Sequence, residues 1–198
     1  MYLLYSADAS DGNTNRYAAG VRAVHRPTAI LGRVKTDKLY LVGFMGAGKT
    51  TVGRALSRRI GWQFVDVDER IETRARRSVA SIFAQHGEPY FRQLEREVLG
   101  ELLAQRQVIV ATGGGTFAEA DNRALMLADG GVAWLDIPLS TVFERVPANG
   151  RRPLAADRTA MDLLYARRRL AYAEAHVRVD ASLTPAESVE RLLAWIGY

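Results

Sequence analysis

The stretch GFMGAGKT, residues 43 to 50, decides the fold of this chain. It fits the pattern GxxxxGK[ST], in which backbone N–H groups of a glycine-rich loop wrap a polyphosphate. The apolar segment LYLVG precedes the loop and a helical pattern follows it, so the loop leads into a helix N-terminus, which attracts phosphate. In such loops the lysine, here Lys49, bonds the β- and γ-phosphates, and the hydroxyl of Thr50 ligates Mg²⁺. The motif therefore predicts binding of a nucleoside triphosphate.

Apolar strand segments alternate with helical segments over the rest of the chain from Leu39 onward. This alternation predicts an α/β fold of three layers, in which helices cover both faces of a mostly parallel sheet. The predicted strands are LYLVG, WQFVDVD, VIVATGGG, GVAWLDI and HVRVDA. The first predicted helix directly follows the phosphate loop. The others span residues 68 to 85, 89 to 104, 119 to 128, 140 to 146 and 158 to 175, and the last one begins at Pro185.

The N-terminal part of the chain has a different character. Residues 1 to 37 contain Asn, Gly, Ser, Asp and scattered Arg without a helical or strand period, which indicates a disordered or loosely attached extension. Asp8 and Asp11 argue against a targeting peptide. We therefore expect one catalytic domain over residues 38 to 198.

Composition limits the possible functions. The chain has no cysteine, which excludes disulfides, thiolate nucleophiles and cysteine-based zinc sites. The net charge is +5, but the basic residues interleave with acidic ones, as in RQLERE, so we expect no nucleic-acid partner. No apolar run reaches the length of about 18 residues that a membrane span needs. We expect a cytoplasmic monomer that acts on small molecules.

Two aspartates, Asp66 and Asp68, end the predicted second strand. Side chains two apart on a strand share a face, so the two carboxylates are expected to stand side by side at the sheet edge where ligands of open α/β sheets bind. One can face Mg²⁺ and the other an acceptor hydroxyl. The alternative is a solvated strand end at which Asp68 caps a helix beginning at Glu69. The guanine-reading segment NKxD of GTPases is absent, and the third strand ends in glycines rather than in the acid of large ATPases.

Further candidates lie on the glycine triplet 113 to 115 and on two predicted helices. Three successive glycines allow a ligand to lie against bare backbone, although a merely flexible loop is the alternative. Arg168 interrupts an apolar helical arc, so it must reach the surface or meet an anion. Arg92 has Glu95 at i+3, which can hold it in one orientation, although a surface ion pair is the alternative. These residues suit a substrate that carries both a carboxylate and hydroxyl groups.

The segment NGRRP, residues 149 to 153, lies in a polar loop with Gly and Pro. Such a loop can close over bound phosphates, bring an arginine to the transferring group and exclude water.

In the order and character of these motifs the chain resembles the shikimate kinases. The phosphate loop, DVD, FRQLE, TGGG, RRPL and the arginine before AY carry the resemblance, which covers residues 39 to 197. It implies a P-loop kinase fold related to the nucleoside-monophosphate kinases, with a five-stranded parallel sheet, a lid loop and a helical substrate-binding subdomain. It further implies phosphorylation of the 3-hydroxyl of shikimate by ATP.

The resemblance also implies a role for individual residues. Asp68 would bind the shikimate hydroxyls and accept the proton, Asp66 would contact Mg²⁺ through water, and Glu95 would orient Arg92. ATP and Mg²⁺ would be held by Gly46, Ala47, Gly48, Lys49, Thr50 and Thr51, with Arg152 on the phosphates and Arg145 and Pro153 around adenine. The shikimate carboxylate and ring would contact Arg92, Arg168, Gly114, Gly115, Phe83 and Phe91.

Two features depart from the family pattern. The residues after Arg168 read RLAY, where the family usually has proline and leucine before the tyrosine. No arginine lies between Asp180 and Pro185, although many members place one over adenine. Two other functions compete with the leading one: a kinase for another polyhydroxy acid such as gluconate, and a catalytically silent ligand-sensing module. The motif combination disfavours the first, and intact Lys49, Thr50, Asp68 and Arg152 disfavour the second.

Overall fold

The computed structural model describes residues 34 to 145 and 158 to 198. Its strands are β1 (Lys38–Val42), β2 (Gln63–Asp66), β3 (Val108–Ala111), β4 (Gly131–Asp136) and β5 (Val177–Asp180). Its helices are α1 (Lys49–Ile60), α2 (Val67–Ala75), α3 (Val79–Leu102), α4 (Ala120–Asp129), α5 (Leu139–Arg145), α6 (Arg158–Tyr172) and α7 (Pro185–Ile196). The five strands form one sheet in the order β2-β3-β1-β4-β5, and every neighbouring pair is parallel. The predicted five-stranded parallel sheet is confirmed.

Helices cover both faces of this sheet, as β1 shows. Leu41 and Tyr40 are adjacent on β1 and therefore point to opposite faces. Leu41 lies under α1, which approaches so closely that a Cβ on Gly53 would stand 2.4 Å from the ring of Phe64 and 3.1 Å from Leu41. On the other face the Tyr40 hydroxyl donates to Asp129 at the end of α4, at 2.6 Å. The predicted three layers are confirmed.

β1 is the central strand and all five of its side chains are buried. Even Lys38 is buried, and its ammonium donates to the carbonyls of Leu102 and Leu103 and to Asp129. These acceptors offset the cost of removing the charge from water. Through Lys38 the end of α3 is fixed against the sheet.

The prediction of a strand that runs through Asp68 is wrong. β2 ends at Asp66, and the chain enters α2 at Val67. The Asp66 carboxylate accepts hydrogen bonds from the backbone N–H groups of Asp68 and Glu69, at 3.0 and 3.4 Å. The helix cap that the alternative assigned to Asp68 is therefore made by Asp66, and the helix begins two residues earlier.

The prediction of one helix over residues 68 to 85 is also wrong. α2 ends at Ala75, Arg76 adopts the left-handed conformation with φ 53°, and Ser78 caps the start of α3. α3 then has a kink at Gly87 (φ 77°, ψ 176°), and Pro89 lies in the first turn of its second part, as predicted. The other predicted helices agree with the structure to within three residues at their ends.

Residues 34 to 37 belong to the extension predicted from the sequence, yet they contact the domain. The backbone N–H of Val34 donates to the carbonyl of Trp195 at 3.0 Å, and the Thr36 hydroxyl accepts from the backbone of Gly131 at 3.2 Å. The rest of the extension lies outside the described residues, as does the predicted lid segment 149 to 153. No helix in the described parts of the chain is long and apolar enough to cross a bilayer.

Candidate active site

The predicted site residues gather at the edge of the sheet where the strands have their carboxyl ends. The phosphate loop follows β1, Asp66 ends β2, and the glycine triplet follows β3. Parallel strand ends meet at one edge, which is where open α/β sheets bind ligands. α3 and α6 add side chains from outside the sheet.

The phosphate loop has the backbone conformation that its glycines allow. Gly46 and Gly48 have φ values of 76° and 85°, in the left-handed region. Gly48 caps α1 and turns the first N–H groups of that helix toward the loop interior. The Lys49 ammonium donates to the carbonyls of Gly43 and Phe44, at 2.8 and 2.9 Å. The loop is therefore already shaped as an anion-binding concavity.

Thr50 and Asp66 provide oxygen atoms beside this loop. The Thr50 hydroxyl donates to one carboxylate oxygen of Asp66 at 2.7 Å, while the other carboxylate oxygen caps α2. Within the described residues no cluster of three His, Cys, Asp or Glu side chains could hold a metal alone. Mg²⁺ in kinases is held by one or two protein oxygens, substrate phosphates and water, so this pair fits it.

Asp68 lies in the first turn of α2 and points toward the glycine triplet. Its Oδ1 atom is 3.0 Å from the place where a Cβ on Gly113 would stand. Asp66 faces Thr50, whereas Asp68 faces the triplet. The two carboxylates therefore face different neighbours. Their directions differ because the chain enters a helix between them, and not because of alternation along a strand.

The glycine triplet is required for close approach and not for a special φ, since none of its members is among the glycines with positive φ. A side chain on Gly113 or Gly114 would press on a predicted site residue, and one on Gly115 would overlap with one. The nearest such atoms to a Cβ built on Gly113, Gly114 and Gly115 are Asp68 Oδ1 at 3.0 Å, Arg168 Nη1 at 3.2 Å and Arg92 Nη2 at 2.5 Å. The bare backbone therefore makes room for three candidate site side chains.

Arg92 is held by two carboxylates. It donates to Glu95 and to Glu88, each at 2.8 Å. Glu95 is fully buried and its second oxygen accepts from the Thr116 hydroxyl. Burial by itself lowers the pKa of Arg92, but the carboxylates of Glu95 and Glu88 raise it above its usual value. Arg92 is thus a fixed positive charge.

Arg168 is held differently. Among the described residues it has no carboxylate within ion-pair distance, and its guanidinium lies over the ring of Phe44, 5.6 Å from the ring centroid. Burial and the nearby charge of Arg92 lower the pKa of Arg168. A half-buried cation beside a second one is stabilised by an anion between them. The two arginines and the triplet form a receptor suited to a carboxylate.

Aromatic side chains border the receptor on the α3 side. The rings of Phe83 and Phe91 lie 4.8 Å apart across the kink at Gly87, and the Arg92 guanidinium lies 5.4 Å from the Phe91 centroid. Phe91 is buried, whereas Phe83 is 38% exposed. An apolar wall with one open ring is thereby available to a ligand.

The nucleotide side is described in part. Arg145 donates to the carbonyls of Gly46 and Ala181, at 3.3 and 3.4 Å, so it spans the phosphate loop and the turn after β5. Ala47 is buried in the loop and Thr51 is exposed on α1. Arg152 and Pro153 lie outside the described residues.

Three supporting residues were not among the predicted site residues. Phe44 underlies Arg168, Thr116 holds Glu95, and the Tyr172 hydroxyl donates to the carbonyl of Gly114. Tyr172 lies on the same apolar helical arc as Arg168, and this shared position could have identified it from the sequence. No sequence pattern marked Phe44 or Thr116, because their partners are distant in sequence.

Comparisons with known proteins agree with this geometry. A sequence profile described as shikimate kinase matches residues 45–197. The shikimate kinase of Persephonella marina is 40% identical over 160 residues, which are 80% of this chain and 98% of the relative. The crystal structure of shikimate kinase from Aquifex aeolicus has a TM-score of 0.75 and 37% identity, covering 81% of this chain and 96% of its own. Shikimate kinase from Acinetobacter baumannii, solved in complex with shikimate, has a TM-score of 0.76 and 34% identity over 81% of this chain and 92% of its own. The chain belongs to the shikimate kinase family.

Proposed function

We propose that this protein transfers the γ-phosphoryl group of ATP to the 3-hydroxyl of shikimate, as a cytoplasmic monomer. Family membership supports the reaction type. The single observation that supports shikimate as the acceptor is the carboxylate receptor beside Asp68. This receptor lies at the same sheet edge as the phosphate loop. Shikimate has the matching groups, one carboxylate and a set of ring hydroxyls.

On the donor side, the phosphate loop from Gly46 to Thr51 binds the ATP phosphates through backbone N–H groups, and Lys49 bonds the β- and γ-phosphates. We assign adenine binding to Arg145 and Pro153, and neutralisation of charge on the transferring group to Arg152. Thr50 would ligate Mg²⁺ and Asp66 would contact it through water, and the ion would supply positive charge that neutralises the phosphates.

On the acceptor side, Arg92 and Arg168 bind the carboxylate, and Glu95 keeps Arg92 in position. Gly114 and Gly115 contribute backbone contacts, while Phe83 and Phe91 pack against the ring. Asp68 binds the ring hydroxyls and accepts the proton of the 3-hydroxyl as its oxygen attacks the γ-phosphorus. Phosphoryl transfer demands little covalent chemistry from the protein, so positioning by these groups supplies most of the rate.

Two other functions are less well supported. A kinase for gluconate would also use the phosphate loop and Asp68, and only the substrate separates it from the proposal. A ligand-sensing module would not need the hydrogen bonds of Lys49 within the loop or the hydrogen bond between Thr50 and Asp66. Both are present, which favours a kinase.

The test is a coupled assay of ADP release with Mg²⁺ and ATP, with shikimate or gluconate added in parallel. We expect ADP release to depend on shikimate, and the product to carry phosphate on the 3-hydroxyl by NMR. Lys49→Met is the control, and it should abolish the shikimate-dependent rate. Faster release with gluconate would assign the acceptor differently, and release that ignores both acids would contradict the kinase assignment.

A further inference from the structure

We propose that Phe44 couples the nucleotide site to the carboxylate receptor, so that the phosphate loop takes part in recognising the acceptor. The inference rests on the function proposed above. Phe44 occupies a variable position of the phosphate-loop pattern, and its backbone and its ring serve different sites.

The ring of Phe44 supports Arg168. It is 2% exposed and lies between the Arg168 guanidinium, 5.6 Å from the ring centroid, and Tyr165, which it meets edge-on at 5.3 Å. The Tyr165 hydroxyl donates to the carbonyl of Ile137 at 2.7 Å, which fixes that side of the contact to the chain after β4. Arg168 has no carboxylate within ion-pair distance among the described residues, so this ring helps to fix its position.

The backbone of Phe44 belongs to the phosphate loop. Its carbonyl accepts from the Lys49 ammonium at 2.9 Å and from the N–H of Ala47 at 3.3 Å. Bound phosphates attract the same ammonium. Nucleotide binding therefore redistributes the hydrogen bonds of the Phe44 carbonyl, and the peptide that carries the ring responds.

The loop also lies directly against the receptor. A Cβ on Gly114 would stand 3.5 Å from the backbone nitrogen of Met45 and 3.7 Å from the carbonyl oxygen of Gly43. Gly43 is confined in turn, since its Cβ would stand 2.4 Å from the carbonyl oxygen of Leu135. Because the loop adjoins Gly114 and is confined at Gly43, a shift at Phe44 is transmitted to the receptor.

Coupling of this kind is reciprocal. If nucleotide improves the placement of Arg168, then shikimate must bind more tightly in its presence, and nucleotide must bind more tightly in the presence of shikimate by the same factor. The carboxylate of shikimate is the group that binds Arg168. The coupling should therefore be lost when either the Phe44 ring or the negative charge of the ligand is removed.

The experiment measures the dissociation constant of shikimate by calorimetry, with and without a saturating non-hydrolysable ATP analogue and Mg²⁺. For the unaltered protein we expect the analogue to tighten shikimate binding about 5-fold or more, within the usual range of coupled sites. Phe44→Leu keeps an apolar side chain but removes the aromatic face, and its coupling factor should fall to within about twofold of unity. Phe64→Leu is the matched control, because it removes a similar ring–arginine contact, with Arg54 at 4.9 Å, away from the link. It should keep the coupling.

A second arm uses the unaltered protein with methyl shikimate, whose ester lacks the negative charge. We expect the nucleotide analogue to change its binding by less than about twofold. Equal coupling for the acid and the ester would overturn the inference, and so would intact coupling in Phe44→Leu. Independent binding of nucleotide and shikimate to the unaltered protein would overturn it as well. All of these results are compatible with shikimate-dependent ADP release, whereas failure of that release would reject the proposed function itself.

Discussion

Arg168 and Arg92 have the same functional group but different surroundings, and the difference predicts what their removal does. Arg92 is paired with two carboxylates, so its loss would leave buried Glu95 without a cation. Arg168 has an aromatic ring beneath it and no carboxylate partner among the described residues. Only Arg168 can be replaced without leaving an opposite charge uncompensated.

We therefore expect Arg168→Leu to fold normally and to bind shikimate poorly. Leucine suits the apolar side of α6, so the melting temperature should be unchanged or slightly higher. Loss of a charge-assisted contact to the carboxylate should cost about 2–4 kcal/mol of substrate affinity. The measurement is KM for shikimate beside a thermal melt, with Arg167→Leu on the exposed side of the same helix as control. A change in KM of less than threefold would place Arg168 outside the site.

Asp66 and Asp68 should respond differently to replacement by asparagine. Asn is as good a helix cap as Asp, so Asp66→Asn should keep α2 and lose mainly metal affinity, which excess Mg²⁺ restores in part. Asp68→Asn cannot accept the hydroxyl proton, and its turnover should fall by roughly 10²–10⁴-fold at any magnesium concentration. A magnesium titration of both variants separates the two roles. Rescue of Asp68→Asn alone would exchange the assignments.

At the scale of elements, the glycine triplet shows how backbone and side chains fit together. A Cβ on Gly115 would stand 2.5 to 3.0 Å from atoms of the Arg92 guanidinium. Gly115→Ala must displace this guanidinium from the place where Glu95 and Glu88 hold it, which costs stability and misplaces a substrate contact. We expect kcat/KM for shikimate to fall about 10- to 100-fold and the melting temperature to fall as well.

The control for this substitution is Gly100→Ala. Gly100 lies in α3, and nothing stands within 4 Å of its Cβ position. It should gain about 0.5–1 kcal/mol of stability, because alanine is the better helix former, and leave kcat/KM unchanged. If both glycine variants retained full activity, the close approach of Arg92 to the triplet would not matter for catalysis.

The elements themselves were largely predictable from sequence, because apolar periodicity reports burial. It failed where a polar residue ended one element and began another. Period-two alternation extended β2 to Asp68, but the preference of Asp66 for a helix cap outweighed it. The left-handed turn at Arg76 was equally hidden, since nothing in its residue type favours positive φ. Ser78 was the one local sign of a new helix.

Candidate site residues could be chosen from the sequence where a local pattern marked them. The motif marked Lys49, helical spacing marked Glu95 as a partner of Arg92, and an interrupted apolar arc marked Arg168. Phe44 and Thr116 act on residues far away in sequence, so only the fold reveals them. Sequence patterns thus identify groups with their own chemistry and miss those that position them.

At the scale of the whole molecule, the two edges of the sheet have separate tasks. The carboxyl ends of the strands carry the candidate site. At the opposite edge, residues before β1 bond to neighbouring segments: Val34 to Trp195, Thr36 to Gly131, and the Asp37 carbonyl to the N–H of Gln107. These contacts stabilise the sheet without reaching the site.

This separation predicts the effect of shortening the chain. A chain that begins at Leu31 keeps all of these contacts and should match the full chain in melting temperature and turnover. A chain that begins at Lys38 loses several net hydrogen bonds, worth about 0.5–1.5 kcal/mol each, and should melt several degrees lower. Its turnover at 25 °C should nevertheless stay within about twofold, since the site lies at the far edge. The measurement pairs thermal melts with the shikimate-dependent rate of all three chains. Loss of turnover on removal of residues 1 to 30 would mean that the extension belongs to the catalytic unit.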